Sequence, residues 1–135
     1  MPARCAALVA AVVLAAALPG CGARHTHPAP TTPAAAGLLN NVSVAELMDA
    51  IAEARLPALN ARDTTSTACP TAGCLEAAET DTVSILKFPS TGRAELYAAA
   101  VPDMLQVEDV VVVFAPTLTA EQKAAYGRVV KDAMR

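Results

Sequence analysis

The sequence predicts a small α+β (or α/β) two-layer domain, in which helices pack on a sheet of three or four strands. Three observations lead to this prediction. Ser43-Val-Ala-Glu46 has the pattern of a capping box, which begins a helix. Val110–Phe114 contains no polar residue, so we expect a central strand that is covered on both faces. Thr119-Ala-Glu-Gln122 begins another capped helix near the end of the chain.

The other elements follow in order. The first helix ends at or before Leu56, because the residue that precedes a proline is driven out of the α region. Residues 60–67 are predicted as a polar loop. Thr82–Phe88 is a strand, because it mixes β-branched and aromatic residues, and 75–78 is its hairpin partner. A helix over 93–101 comes before the central strand. The last helix buries a stripe of apolar residues: Ala125, Val129, Val130, Ala133 and Met134.

The amino-terminal segment has the layout of an export signal. Arg4 precedes an uncharged apolar run, Ala6–Leu18, and the run leads into Leu18-Pro19-Gly20-Cys21, which resembles a bacterial lipobox. The resemblance implies that residues 1–20 are a lipoprotein signal peptide and that the Cys21 thiol carries diacylglycerol, with acyl chains such as palmitate. The protein is then expected at the extracytoplasmic face of the cell membrane, where the acyl anchor on Cys21 holds it.

Two other interpretations of the apolar run are a transmembrane helix and an ordinary secretory signal. A transmembrane helix needs about 20 apolar residues, and Pro19-Gly20 ends this run before that length. An ordinary secretory signal stays open as the alternative, although no pair of small residues is well placed for its cleavage site. Pro19 is an unusual residue for the second position of a lipobox.

Residues 21–39 are predicted to be a tether, and residues 40–135 a single folded domain. Gly22–Gly37 consists mainly of Ala, Pro and Thr, which cannot bury enough apolar surface to fold. Its sixteen residues would span up to roughly 50 Å if extended. The threonines beside prolines resemble the O-glycosylated tethers of actinobacterial lipoproteins. His25 and His27 are interpreted as linker residues rather than as metal ligands.

Cys69 and Cys74 remain as a pair once Cys5 leaves with the signal peptide and Cys21 is acylated. A pair of cysteines in an exported chain indicates a disulfide. The C-x-x-x-x-C spacing differs from the C-x-x-C of thiol oxidoreductases, and residues 40–135 contain no histidine to complete a zinc site. We therefore interpret Cys69-Pro-Thr-Ala-Gly-Cys74 as a structural turn, which the disulfide stabilises by about 2 kcal/mol.

Composition and motifs favour a binding protein over an enzyme. The part after residue 20 has nine Lys and Arg against thirteen acids, a formal charge of −4, which gives no basic surface for nucleic acid. No catalytic motif, cofactor motif or metal-ligand set is present, so we predict no catalytic residue, cofactor or metal. The sequence contains two candidate sites. The first is a set of four carboxylates, Asp63, Glu76, Glu79 and Asp81. Two of them could converge as the catalytic pair of a hydrolase, but acids on solvated turns are the simpler interpretation. Ser90, Thr91, Gly92 and Arg93 form a candidate anion-binding site at a helix start, for which an ordinary N-cap is the alternative.

Several motifs resemble those of small mycobacterial and actinobacterial cell-envelope lipoproteins of uncharacterised function. They are Cys69-Pro-x-x-Gly-Cys74, Thr80-Asp-Thr-Val83, Phe88-Pro-x-Thr-Gly-Arg-Ala94, Tyr97-Ala98 and Val112-Val-Phe-Ala-Pro116. The resemblance covers most of the folded domain. It implies the envelope compartment and the disulfide, and it brings no activity or catalytic residue with it.

Two functions are consistent with these features. The favoured one is a non-catalytic binding or accessory module, whose partner is an envelope protein or a glycolipid. An exposed apolar patch would support it. The alternative is a carrier of a small molecule or lipid, which predicts an apolar pocket of at least about 300 Å³ between the sheet and a helix.

Overall fold

The computed structural model describes residues 40–135. The predicted signal peptide (1–20), the tether (21–39) and the lipidation site Cys21 lie outside the described residues.

The described residues form an α+β domain, as the sequence predicts. The helices are α1 (Val44–Glu53), α2 (Thr65–Ala72), α3 (Thr91–Ala98) and α4 (Ala120–Ala133). The strands are β1 (Arg62–Asp63), β2 (Glu76–Glu79), β3 (Val83–Lys87), β4 (Met104–Val107) and β5 (Val110–Phe114).

All five strands form one antiparallel sheet in the order β1-β2-β3-β5-β4. The β2–β3 and β4–β5 hairpins meet where β3 pairs with β5, with Ile85 opposite Val112. β5 therefore lies inside the sheet, as its uninterrupted apolar sequence predicts.

Apolar residues cover both faces of this sheet. On one face, α1 and α4 contribute Leu47, Ile51 and Val130 to a core that includes Ile85 and Val112 of the strands. On the other face, α2 and α3 pack over a second cluster of smaller side chains: Cys69, Ala77, Leu86, Phe88, Ala94, Ala98 and Val111. Where the sequence predicts two layers, the helices thus form a layer on each face.

The additional layer includes a helix in a region where the sequence predicts a loop and a turn. α2 carries Pro70 in its interior and buries only Cys69, so neither propensity nor periodicity reveals it. Tertiary contacts hold it instead. The Asp63 carboxylate accepts a hydrogen bond from the Thr65 N–H (2.7 Å), and the Thr65 hydroxyl accepts one from the N–H of Ala77 (3.0 Å). Gly73 ends the helix with a φ of 78°, which favours glycine.

Strand β1 lies within the predicted loop 60–67 and is likewise not revealed by the sequence pattern. The same holds for strand β4. It pairs with β5 across a two-residue turn, in which Val107 faces Val110. Such turns are usually recognised by Asn-Gly or Asp-Gly. Here Glu108 takes the left-handed conformation (φ 52°) without being glycine, so the hairpin gives no signal in the sequence.

The predicted helix starts at Ser43 and Thr119 are confirmed. Ser43 and Glu46 form a complete capping box, and so do Thr119 and Gln122. α1 ends at Glu53, three residues before Leu56. α3 begins at Thr91 and ends at Ala98, so it lies two to three residues earlier than the predicted 93–101.

Helix α4 packs unusually close to strand β4. Gly127 is buried, and a Cβ atom at this position would lie 3.0 Å from the Leu105 Cδ2 atom. A glycine costs a helix interior up to about 1 kcal/mol relative to alanine. The close contact between helix and strand gives this glycine a packing role.

The start of the domain is held by a buried polar cluster around Lys87. The side chain of Lys87 is 3% exposed, and its ammonium group donates hydrogen bonds to the carbonyl oxygens of Asn40 and Val42 and to the Asn40 side-chain oxygen. Asp109, 1% exposed, lies behind it: its Oδ1 atom accepts from the Asn40 amide (2.6 Å), and its Oδ2 atom is 3.8 Å from Lys87 Nζ. Among the described residues, Oδ2 has no hydrogen-bond partner.

Removal of the Lys87 ammonium group should therefore destabilise the domain strongly. We expect Lys87→Met to lower the free energy of unfolding by about 3–5 kcal/mol, because Asp109 is left as a buried charge without its cation. The double variant Lys87→Met/Asp109→Leu should recover much of this loss. Denaturant titration followed by circular dichroism measures both.

Lys123→Met is the matched control. It removes the more exposed Lys123–Asp103 ion pair (2.5 Å) and should cost about 1 kcal/mol or less. An equal loss in Lys87→Met and Lys123→Met would contradict the assigned role of Lys87.

Candidate functional site

An open groove lies between the amino-terminal half of α1 and the β1–β2 edge of the sheet. Its volume is about 550 Å³. We call it the α1 groove. It is lined by Ser43, Val44, Ala45, Met48, Ala61, Arg62, Asp63, Thr65, Glu76, Ala77 and Ala78. Small and apolar side chains form most of its walls, so the groove suits an apolar ligand or an apolar side chain of a partner.

The polar groups of the α1 groove are already bonded within the domain. The Glu76 carboxylate crosses from β2 to α1 and accepts a hydrogen bond from the Val44 N–H (2.8 Å). It therefore satisfies a free donor of the first helical turn and lies at the positive end of the helix dipole. Arg62 forms an ion pair with Glu79 (3.1 Å) directly across the β1–β2 ladder. These contacts fix the rim of the groove and leave it without a free charged group for acid–base chemistry.

Two carboxylates, Asp63 in the groove lining and Glu46 in the capping box of α1, have pKa values below their ordinary range. Hydrogen bonds from the backbone and hydroxyl groups of Ser43 lower the pKa of Glu46. Hydrogen bonds from Thr65 likewise lower the pKa of Asp63. Both shifts favour the ionised form, because the donors bond the carboxylate rather than the neutral acid. Both groups are suited to capping and unsuited to proton donation at neutral pH.

The four carboxylates considered for a hydrolase pair bond to separate partners. Asp63 accepts from Thr65, and Glu76 caps α1. Glu79 pairs with Arg62, while Asp81 accepts from the Asn60 amide (2.7 Å). Each carboxylate therefore has a local structural role.

The candidate anion site lies at the start of α3. Ser90 is the N-cap, and its hydroxyl accepts a hydrogen bond from the Arg93 N–H (3.3 Å). Gly92 and Arg93 are exposed, and the Thr91 hydroxyl is buried with no partner among the described residues. The N-cap is thus present, and binding of an anion at Ser90–Arg93 stays a prediction.

Cys69 and Cys74 form the predicted disulfide, with Cα atoms 4.6 Å apart. The bond spans the carboxyl end of α2 and holds Cys69 in the second core cluster. Closing so short a loop contributes about 2 kcal/mol through the entropy of the unfolded chain. The bond ties the last turn of α2 to the segment that leads into β2, which is a structural role.

Of the groove lining, the sequence singles out Ser43 of the capping box and the carboxylates Asp63 and Glu76, but it does not predict that they share a groove. The α1 groove exists because the polar stretch 60–67 returns to the sheet as β1 and stands opposite α1. The capping box predicts the position of one wall of the groove, because Ser43 and Glu46 fix where α1 begins.

Within residues 40–135, no three His, Cys, Asp or Glu side chains form a group able to hold a metal ion. No helix in that range is long and apolar enough to cross a membrane. Comparison of the chain with protein-family models, curated proteins and solved structures found no match.

The lowered pKa of Glu46 predicts a pH-dependent contribution to stability. The folded pKa lies below the ordinary value of 4.5, so the contribution is present above pH 4.5 and is lost as the pH falls through the folded pKa. Glu46→Gln should therefore be less stable than the natural protein at pH 7, and the two should converge in acid. Unfolding midpoints across this pH range measure the difference.

Glu95→Gln provides the control, because Glu95 is exposed and makes no side-chain hydrogen bond or ion pair within the described part of the chain. A stability difference for Glu46→Gln that stays constant from neutral to acid pH would show that the carboxylate charge contributes nothing.

Proposed function

We propose that this protein is a lipid-anchored cell-envelope protein whose folded domain is a non-catalytic binding module, with the α1 groove as its ligand site. The observation that carries the proposal is the groove itself. It is open, it has about 550 Å³ of volume, and its lining is mainly small and apolar. A partner can insert an apolar side chain or a short apolar segment into it without displacing the core residues Leu47 and Ile51 below.

The chemistry of the residues around the groove supports binding rather than catalysis. The chain from residue 40 onward contains no histidine, the most common acid–base residue. The two cysteines are bonded to each other, which removes them as nucleophiles. The groove carboxylates Asp63 and Glu76 are occupied by backbone N–H groups.

The anchor is proposed from the lipobox resemblance at Leu18–Cys21 and from the likeness to actinobacterial envelope lipoproteins. The polar cluster at Lys87 is compatible with such an anchor. It holds Asn40 and Val42 against the sheet, directly after the proposed tether and directly before the groove residues Ser43 and Val44. The binding groove therefore begins within a few residues of the tether.

A small-molecule or lipid carrier is the second candidate function. The same groove favours it, because it lies between a helix and the sheet and exceeds the volume of about 300 Å³ expected of a carrier. The two functions differ in the mass of the bound species, which a cross-linking experiment measures.

The anchor is tested by Cys21→Ser. We expect this variant to lose cleavage of the signal peptide and incorporation of acyl chains, because the modified thiol is absent. Electrophoretic mobility, mass spectrometry of the protein and membrane fractionation measure the two effects. Cys5→Ser is the matched control and should be processed normally. Normal processing and membrane retention of Cys21→Ser would refute the anchor.

The groove is tested by photo-cross-linking in the native envelope. We expect p-benzoylphenylalanine at Ala45, which lines the groove, to give an adduct of discrete mass. The same photoreactive residue at Ala52, which is exposed two turns further along α1, should not give it. A protein-sized adduct supports the module, and an adduct of a few hundred daltons or less supports the carrier.

Ala61→Trp gives the second arm of the cross-linking test. Ala61 is exposed and lines the groove, so a tryptophan there should fill it and remove the adduct. Ala124→Trp, at an exposed position of α4, should leave the adduct intact. Identical adducts from positions 45 and 52, or an adduct that survives Ala61→Trp, would contradict the proposed site.

A further inference from the structure

A second groove lies on the opposite face of the sheet, between α2 and α3. We call it the α2–α3 groove. Leu86 of β3 lies at its base, Ala68 and Ala72 of α2 line one side, and Leu96 and Tyr97 of α3 line the other. Its volume is about 470 Å³. The face of α2 that lines it carries no large side chain, which leaves the groove open above the sheet.

The α2–α3 groove is elongated. An adjoining cavity of about 290 Å³ shares Ala68, Leu86 and Tyr97 with it and extends toward Glu79. Because the two cavities share these three lining residues, we treat them together and call them the channel. Tyr97 is fixed at the middle of this channel by its packing on Phe88, with ring centroids 5.2 Å apart. A channel of this form fits a linear chain better than a compact ligand.

Charge distinguishes the two ends of the channel. Arg93 is the charged residue that lines the α2–α3 groove, and within residues 40–135 its side chain forms no hydrogen bond or ion pair. Glu79, at the other end, is paired with Arg62. Arg93 therefore offers a free cation next to an apolar channel. By contrast, the polar groups of the α1 groove are bonded within the domain.

An exposed leucine lies beside this cation. Leu96 lines the groove with 70% of its surface exposed, although a leucine gains free energy when it is removed from water. The adjoining Tyr97 is half-buried, and its hydroxyl makes no hydrogen bond among the described residues. An apolar chain in the groove would cover Leu96 and leave the hydroxyl of Tyr97 available to a polar head.

We infer that the α2–α3 groove binds a single-chain anionic amphiphile, whose carboxylate or phosphate head pairs with Arg93 and whose acyl chain lies over Leu86 between α2 and α3. The bidentate geometry of a guanidinium group suits both heads. This inference goes beyond the proposed α1 groove and does not need it. It rests on the proposed membrane anchor in one respect only: the anchor would hold the domain close to the membrane lipids that supply the amphiphile.

The test uses the intact mature protein in nanodiscs of phosphatidylcholine. The first probe is a dodecanoate with a diazirine at the end of its chain, and its methyl ester is the neutral control. The second probe is a lysophosphatidylglycerol with a diazirine on its one acyl chain, placed in the disc. We expect the dodecanoate or the lysophosphatidylglycerol to label α2 and α3, and the ester to label them less. The probe that labels identifies the source of the ligand.

Two variants test separately the contribution of the Arg93 charge and that of the channel volume. Arg93→Gln should raise the half-saturating concentration of the labelling probe about fivefold, the effect of losing an ion pair worth about 1 kcal/mol. Ala68→Leu should abolish labelling by filling the channel. The matched controls on α4, Arg128→Gln and Ala124→Leu, change exposed residues and should leave labelling unchanged.

Three results would overturn the inference: equal labelling by acid and ester, label spread evenly over the domain, or no effect of Arg93→Gln beyond that of Arg128→Gln. Arg93→Gln changes an exposed side chain, so this arm remains decisive if Ala68→Leu fails to fold. Failure of the proposed anchor is separately visible. A protein without acyl chains does not enter the nanodiscs, and the dodecanoate titration is then carried out in buffer.

Discussion

The buried ammonium group of Lys87 is the contact on which the arrangement of the domain depends. Its donors bond Asn40 and Val42, so the residue that precedes the α1 cap is fixed to the central strand β3. The strand register adds a second contact with α1. Lys87 lies opposite Glu76 of β2, and the Glu76 carboxylate caps the first turn of α1. One cation on the sheet thus holds the segment before α1 against β3, and α1 in turn forms one wall of the α1 groove. Loss of one partner of a buried ion pair is costly, because the other is left as an uncompensated buried charge.

The two faces of the sheet are built differently. The face under α1 and α4 carries the large side chains, including Tyr126, whose hydroxyl donates to the carbonyl oxygen of Pro57. The face under α2 and α3 is covered mainly by alanines, Phe88 and the disulfide. Small residues leave space above a sheet, so the second face is the natural place for an elongated channel. The disulfide compensates for a helix that buries little surface of its own.

Elements with a local chemical signal were predictable, and elements held by distant partners were not. The Ser43 and Thr119 caps, the apolar strand β5 and the cysteine pair each carry their cause within a few residues. Helix α2 depends on contacts with Ala77, ten or more positions away, and β4 on a turn in which Glu108 replaces the usual glycine. The grooves could not be located, because each is the space between elements whose relative position the sequence pattern does not give.

The contact between Gly127 and Leu105 couples the side chains that these two positions can accept. The helix approaches the strand so closely that a methyl group at 127 would lie 3.0 Å from the leucine side chain. A larger residue at 127 therefore requires the half-buried side chain of Leu105 to move, or a smaller residue at 105. Substitutions at the two positions are thus expected to be coupled in their effect on stability.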